Sequence, residues 1–208
     1  MIRWLERVIP EPGERPSALP VKEAMQRVTR QTAFEPDTWT PERAAKVAAM
    51  FDEMAPSWNE RQRVFSRYEP LADALHRGAV GGGRCLEVGS GTGLVTATLA
   101  KQFDDVVSLD LSHEMLVRGT GHRVEADAAA LPVADASIDS AVLVNALLFP
   151  RELDRVLAAD GTLVWVNTAG AETPIHLPPE DVGAAMPGDW TGVAADAAFG
   201  LWAVMRRR

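Results

Sequence analysis

The sequence predicts a Rossmann-like, doubly wound α/β fold with a helical cap at its N-terminal side. Three observations carry that expectation. From Arg84 onward, short apolar runs of strand length alternate with segments of helical spacing. The first of those runs ends in glycines at alternate positions, Gly89, Gly91 and Gly93. The first third of the chain reads instead as a proline-rich arm followed by helices. Strands alternating with helices imply parallel β-α-β units, because a parallel neighbour needs a crossover long enough to hold a helix.

Taken in order, Pro10, Pro12, Pro16 and Pro20, with Gly13 between them, preclude continuous helix and predict an extended arm. Thr40-Pro41-Glu42-Arg43 is a helix start, with a capping hydroxyl, proline at the first helical position and an early acid; the helix runs through Met54 and stops or kinks at Pro56. A second helical segment covers about 58–77, divided at Pro70 and closed by Gly78, Gly81, Gly82 and Gly83. Arm and cap (1–83) and core (84–208) are expected to form one domain. In the core the pattern predicts strands at 84–88, 106–109, 122–126, 138–144 and 162–167, the last introduced by Asp160-Gly161. Helices are expected at 92–103, 112–117 and about 151–158, and Gly200 centres a hairpin between 193–198 and 201–205.

Composition narrows the function. Among 208 residues, 47% hydrophobic and 24% charged is ordinary for a folded domain and excludes disordered or fibrous classes. Lys and Arg number 21 against 29 Asp and Glu, a net −8, so nucleic acid is not an expected partner. The basic cluster Arg206, Arg207, Arg208 reads as a solvated chain end. One cysteine, Cys85, excludes an internal disulfide or a multi-cysteine zinc site, suits a reducing compartment, and in its apolar strand reads as a small core residue. Arg3, Glu6 and Arg7 interrupt any signal-peptide core, and the longest apolar stretch, 141–149, is far below the ~20 residues of a membrane helix. A cytoplasmic protein without a transmembrane segment or a metal site is expected.

The segment Leu86-Glu87-Val88-Gly89-Ser90-Gly91-Thr92-Gly93 reads either as a cradle for a small anionic or carboxylate-bearing ligand or as a plain strand-to-helix turn. Its G-x-G-x-G spacing departs from the dinucleotide fingerprint, which would put the last glycine where Leu94 stands. Asp110 closes the second core strand, where a carboxylate can accept from both hydroxyls of a ribose. Asp127 follows the third, where one can accept from an adenine amine, while Leu111 can cover a purine face. Each acid alone could be a strand-end cap, yet their placement at the carboxyl ends of consecutive strands points to a ligand along that edge. Asn145 ends the fourth strand and either bonds an acceptor molecule or caps a turn. His176, in Thr173-Pro174-Ile175-His176-Leu177-Pro178, is either a base for a phenol, enol or alcohol acceptor or a surface histidine. The six tryptophans suit an aromatic or apolar acceptor, or simple packing.

The ordered set Leu86 to Gly93, Asp110, Asp127 with Leu131-Pro132, and Arg155-Val156-Leu157 leading through Gly161 into 162–167 resembles class I S-adenosylmethionine-dependent methyltransferases. The likeness spans about 51–167 and is nearest the ubiquinone and menaquinone biosynthesis branch. It implies a seven-stranded sheet with the last strand antiparallel, and S-adenosylmethionine as methyl donor with S-adenosylhomocysteine as product. It further implies that Glu87 and the loop Gly89, Ser90, Gly91, Gly93 hold the methionine part, Asp110 the ribose, and Asp127 with Ala128 the adenine. The segment Phe51 to Asn59 resembles the family's F-D-x-x-A-x-x-Y-D, with Trp58 in place of the tyrosine and Asn59 in place of the aspartate. The implied reaction is in-line methyl transfer to a small-molecule acceptor, with His176 and Asn145 as the residues to act on it. Segments 51–68 and 169–179 are expected to cover the acceptor. A nicotinamide-dependent oxidoreductase and a non-catalytic S-adenosylmethionine-binding protein are the competing readings.

Overall fold

A computed structural model describes residues 1–14, 22–64 and 66–208, Val64 by its main chain only. Pro16 and Pro20 of the expected arm, and Phe65 of the expected cover, lie outside the described residues. The chain opens with β1 (Ile2–Trp4), then α1 (Lys22–Phe34), α2 (Pro41–Met54), α3 (Trp58–Arg61) and α4 (Tyr68–Arg77), joined by single 3-10 turns at Pro36–Thr38, Ala55–Ser57 and Gln62–Val64. The alternating part follows as β2 (Arg84–Val88), α5 (Thr96–Leu99), β3 (Asp105–Asp110), α6 (His113–Leu116), β4 (His122–Glu125), β5 (Ile138–Val144), α7 (Pro150–Val156) and β6 (Leu157–Asn167). After α8 (Pro179–Ala185), the hairpin β7 (Trp190–Ala197) and β8 (Gly200–Arg207) closes the chain.

These strands form one eight-stranded sheet in the order β1-β7-β8-β6-β5-β2-β3-β4. β8 runs antiparallel to both its neighbours and every other pairing is parallel. The expected α/β sheet with an antiparallel last strand is thus present, with one strand more than seven. The addition is β1, which pairs in parallel with β7 through Ile2 and Gly192, Arg3 and Val193, Trp4 and Ala194. Three residues with a charge in the middle show no strand periodicity; the exposed edge of β7 supplies the order.

Two helical expectations and one strand boundary change. Residues 92–103 hold only the single turn α5, because Gly93 has φ +80° and helical geometry cannot pass through it. Val95, Leu99 and Phe103 of the expected spacing are buried in the core, while Leu94 is exposed. The break in 58–77 falls before Pro70, which sits in the first turn of α4 where no amide partner is needed. Asp160-Gly161 lies within β6, at an irregularity where Ile138 pairs Leu157 and Ser140 pairs Thr162.

The central strands are buried on both faces, as a sheet covered by helices requires. Leu86, Leu143, Leu163 and Trp165 pack on one face, and Cys85, Val142, Val144, Val164 and Val166 on the other. Cys85 is fully buried, and burial pushes its thiol well up, as a core residue should show. Two of the three terminal arginines are engaged: Arg206 donates to the carbonyls of Gly78 and Ala79, and Arg207 pairs with Asp154, while Arg208 is exposed.

Candidate functional site

The order places β2 between β3 and β5, so the connection leaving β2 toward β3 and that leaving β5 toward β6 turn to opposite sides and a crevice opens at the carboxyl ends of the strands. A cavity lies there. Its walls include Glu87, Gly89, Ser90, Gly91, Asp110, Leu111, Asp127, Ala128 and Asn145 from the core, with Trp39, Val47, Phe51, Trp58 and Arg67 from the cap. Gly93 and His176 are absent from the walls.

The glycine loop is fixed by its own chemistry. Gly89 has φ +66°, and a Cβ there would stand 2.6 Å from that of Ala146, so the residue must be glycine. Ser90 N–H donates to Leu109 O at 3.0 Å and Gly93 N–H to Ser90 O at 2.9 Å. Beneath the loop lies Arg123, which donates to Gly91 O and, at 3.2 Å, to Ser90 Oγ. Because α5 is a single turn, the positive field here comes from this guanidinium more than from a helix dipole.

At the loop's inner side, Glu87 is 2% exposed. Its Oε2 accepts from the hydroxyls of Thr96 and Ser108, both at 2.6 Å, while Oε1 is buried with no partner among the described residues. Burial raises its carboxyl above the ordinary range against the pull of those two hydroxyls. Arg67 stands half-buried on the same wall. It donates to Val144 O at 3.3 Å and Gln62 Oε1 at 2.7 Å, has no partner for its buried Nε among the described residues, and lies over the Trp58 ring at 5.8 Å. Burial lowers its pKa to about 10, with the charge of Glu87 acting in opposition. Sequence reasoning missed Arg67, since nothing in its local pattern ties it to a cavity built by strands far along the chain.

Asp110 accepts from Gly91 N–H at 2.7 Å and Ser112 N–H at 2.9 Å, and burial raises its carboxyl too. The cap clasps this region at two polar points: Ser112 Oγ donates to Asp52 at 2.5 Å and Thr92 Oγ1 to Asn59 at 2.5 Å. Trp58, the departure from the family tyrosine, places its indole nitrogen 3.4 Å from where a Gly91 Cβ would be. At the far end, Asp127 accepts the indole N–H of Trp39, 2.9 and 3.1 Å from its two oxygens, and the Ala129 amide at 2.8 Å. Trp39 was also missed; its ring meets Phe149 edge-on at 5.1 Å.

The two residues expected to act on an acceptor behave differently. Asn145 lines the cavity, but its side chain ties the ends of β5 and β6 together, donating to Thr168 Oγ1 at 2.8 Å and accepting from Thr168 N–H at 2.9 Å. Its φ of +53° is the left-handed turn conformation that asparagine tolerates. His176 lies behind the wall, Nδ1 2.8 Å from Asn167 Oδ1, and burial lowers its pKa. Its neighbour Ile175 reaches the cavity in its place. The loop is tied down from α1, where Gln26 donates to the carbonyls of Ala171 and Thr173.

Residues 86–165 match the model of a methyltransferase domain family. The demethylmenaquinone methyltransferase of Renibacterium salmoninarum is 39% identical over 127 residues, 56% of this chain and 53% of its own. The ubiquinone/menaquinone biosynthesis C-methyltransferase UbiE of Geotalea uraniireducens is 31% identical over 149 residues, 59% of this chain and 63% of its own. The chain therefore spans between half and two thirds of the length of these curated relatives. Among solved structures, the complex of DhpI with S-adenosylhomocysteine aligns with TM-score 0.59 at 19% identity, over 77% of this chain and 94% of that one. The [4+2]-cyclase SpnF aligns with TM-score 0.56 at 21% identity, over 72% and 75%. The resemblance to class I S-adenosylmethionine-dependent methyltransferases of the ubiquinone and menaquinone branch is borne out by these matches, and the fold is theirs. At such identities the structures speak for the fold alone, and one of them is named for a cyclisation.

Proposed function

We propose that the chain is an S-adenosylmethionine-dependent methyltransferase whose acceptor is a small aromatic or apolar molecule. The observation that carries this is the pair on the inner wall: a buried carboxylate oxygen, Glu87 Oε1, and a buried guanidinium nitrogen, Arg67 Nε, each without a partner among the described residues. Buried charges left short of partners cost free energy unless a ligand completes them. An α-amino acid presents an ammonium and a carboxylate together, which fits that pair.

When bound, the cofactor supplies a methyl group activated by a sulfonium centre. The chain's part is to hold, orient and exclude water. In this reading Glu87 accepts from the ammonium and Arg67 pairs with the carboxylate. Asp110, held by the amides of Gly91 and Ser112 at the carboxyl end of β3, takes the ribose hydroxyls. Asp127 takes the adenine amine, with Ala128 and Leu111 along the purine. Aromatic and aliphatic side chains, Phe51, Trp58, Leu147, Phe149 and Ile175, line the rest and favour an apolar acceptor. Asn145 acts as a positioning residue for this edge. The names of the relatives support a quinone-type acceptor methylated at carbon. Among the described residues no helix is long and apolar enough to cross a membrane.

The test is methyl transfer from labelled S-adenosylmethionine to reduced demethylmenaquinone and to a panel of small phenols and enols. Label in at least one such acceptor, lost in Glu87→Gln, is the expected result. Tight S-adenosylhomocysteine binding with no transfer to any acceptor would leave a binding protein and overturn the enzyme.

A further inference from the structure

We propose that Trp39 is a gate on the adenine end of the cavity, holding Asp127 with its indole N–H until an adenine amine takes that place. The proposal rests on the reading of Asp127 as the adenine acceptor. Its ground is the occupancy of the carboxylate. The indole nitrogen lies 2.9 Å from Oδ2 and 3.1 Å from Oδ1, so one N–H straddles both oxygens, and the Ala129 amide takes a further site on Oδ1 at 2.8 Å. A carboxylate offers about four acceptor positions, of which the straddling one serves a single donor. Trp39 and Asp127 both line the cavity, so an amine that approaches between the two carboxylate oxygens competes with the indole N–H for that position.

The position of Trp39 suits a moving part. It follows the 3-10 turn Pro36–Thr38 and precedes the cap Thr40 of α2, so it sits at a joint between elements rather than inside one. Its ring lines the cavity and, with Phe149, also lines a second groove outside it that Ala33, Phe34 and Pro187 border. The two rings meet edge-on and form the partition between the two spaces. Swinging the indole off Asp127 thus exposes the acid to the cavity. The apparent affinity for an adenine-bearing ligand is the intrinsic affinity scaled by the fraction of chains with the gate open.

Calorimetry on the full chain tests this with two probes, S-adenosylhomocysteine and S-ribosylhomocysteine, which lacks the base. Trp39→Phe keeps an aromatic ring and removes the N–H. The expected result is about tenfold tighter binding of S-adenosylhomocysteine, the scale of a lost hydrogen bond to a charged group, with S-ribosylhomocysteine unchanged. Unchanged or weaker S-adenosylhomocysteine binding in Trp39→Phe overturns the gate. Asp127→Asn separates the two readings: it should weaken S-adenosylhomocysteine and spare S-ribosylhomocysteine. If it spares both, the placement of adenine fails and the gate with it; if it behaves as expected while Trp39→Phe does nothing, the gate alone fails. The unaltered chain gives an independent readout through the Trp39 indole N–H resonance, assigned by its proximity to Phe149. On saturation with S-adenosylhomocysteine this signal should shift and lose protection from solvent exchange, and an unmoved, protected signal would refute the exchange of donors.

Discussion

The two ends of the cavity stand on the same sheet edge and are finished in opposite ways. At the end near β2 and β5, Glu87 Oε1 and Arg67 Nε are buried without partners among the described residues. At the end beyond β4, Asp127 already has the Trp39 indole and the Ala129 amide. Ligand binding at the first end completes charges that are short of partners, whereas at the second it exchanges one donor for another. The first end should therefore carry most of the affinity and the second most of the selectivity, because an exchange returns little net free energy.

The largest expected effect is at the charged end. Arg67→Met removes the cation while keeping a flexible apolar side chain beside Trp58. S-adenosylhomocysteine should bind about 100-fold more weakly, on the order of 3 kcal/mol for an unpaired buried carboxylate. Methylthioadenosine, which has no carboxylate, should be unaffected. Calorimetry with both ligands decides it; equal losses for the two would place Arg67 elsewhere in the site.

Glu87→Gln comes next. Loss of the charged acceptor for an ammonium should cost about 1.5–3 kcal/mol of S-adenosylhomocysteine affinity, tenfold or more. Thermal unfolding of the same variant should show stability unchanged or raised, since a desolvated charge has been removed. A variant that loses stability and keeps affinity would make Glu87 a purely structural acid.

Asp110→Ala is expected to lower both quantities. Ribose hydroxyls lose their acceptor, about tenfold in affinity, and the amides of Gly91 and Ser112 lose theirs, about 1–3 kcal/mol of stability. Retained stability would mean that water replaces the carboxylate at both amides.

The smallest effect is in pH. Glu87 and Asp110 have carboxyls raised by burial in the folded chain, so the folded state holds their protons more tightly than the unfolded one. Their contribution to stability is present below the unfolded pKa and is lost as pH rises through the raised folded values. Affinity for S-adenosylhomocysteine should run the other way and fall as pH drops through the same window, because the ammonium needs an ionised Glu87. Parallel slopes for stability and affinity would break the link between charge at this end and binding.

Much of this was legible in the chain because it is local. The glycine turn, the acids at the strand ends and the β7–β8 hairpin each follow from residues close in sequence, and they are where they were expected. What was missed depends on distant contacts. Helix α1 escaped notice because its buried face is Thr29, Thr32 and Ala33, and the two threonines bond back to Met25 O and Thr29 O instead of forming an apolar stripe. Arg67 and Trp39 belong to cap segments whose partners, Val144 and Asp127, lie far along the chain. His176 misled for the opposite reason: the loop does approach the cavity, but alternate residues of an extended segment face opposite ways, and Ile175 takes the inward position.

The most direct measurement of the central claim is calorimetric titration of the full chain with S-adenosylhomocysteine and, separately, with NADH. The account predicts one-to-one binding of S-adenosylhomocysteine, weakened about 100-fold in Arg67→Met, and no heat from NADH. Binding of NADH with none of S-adenosylhomocysteine would contradict it, because the charged end would then have no amino acid to complete it.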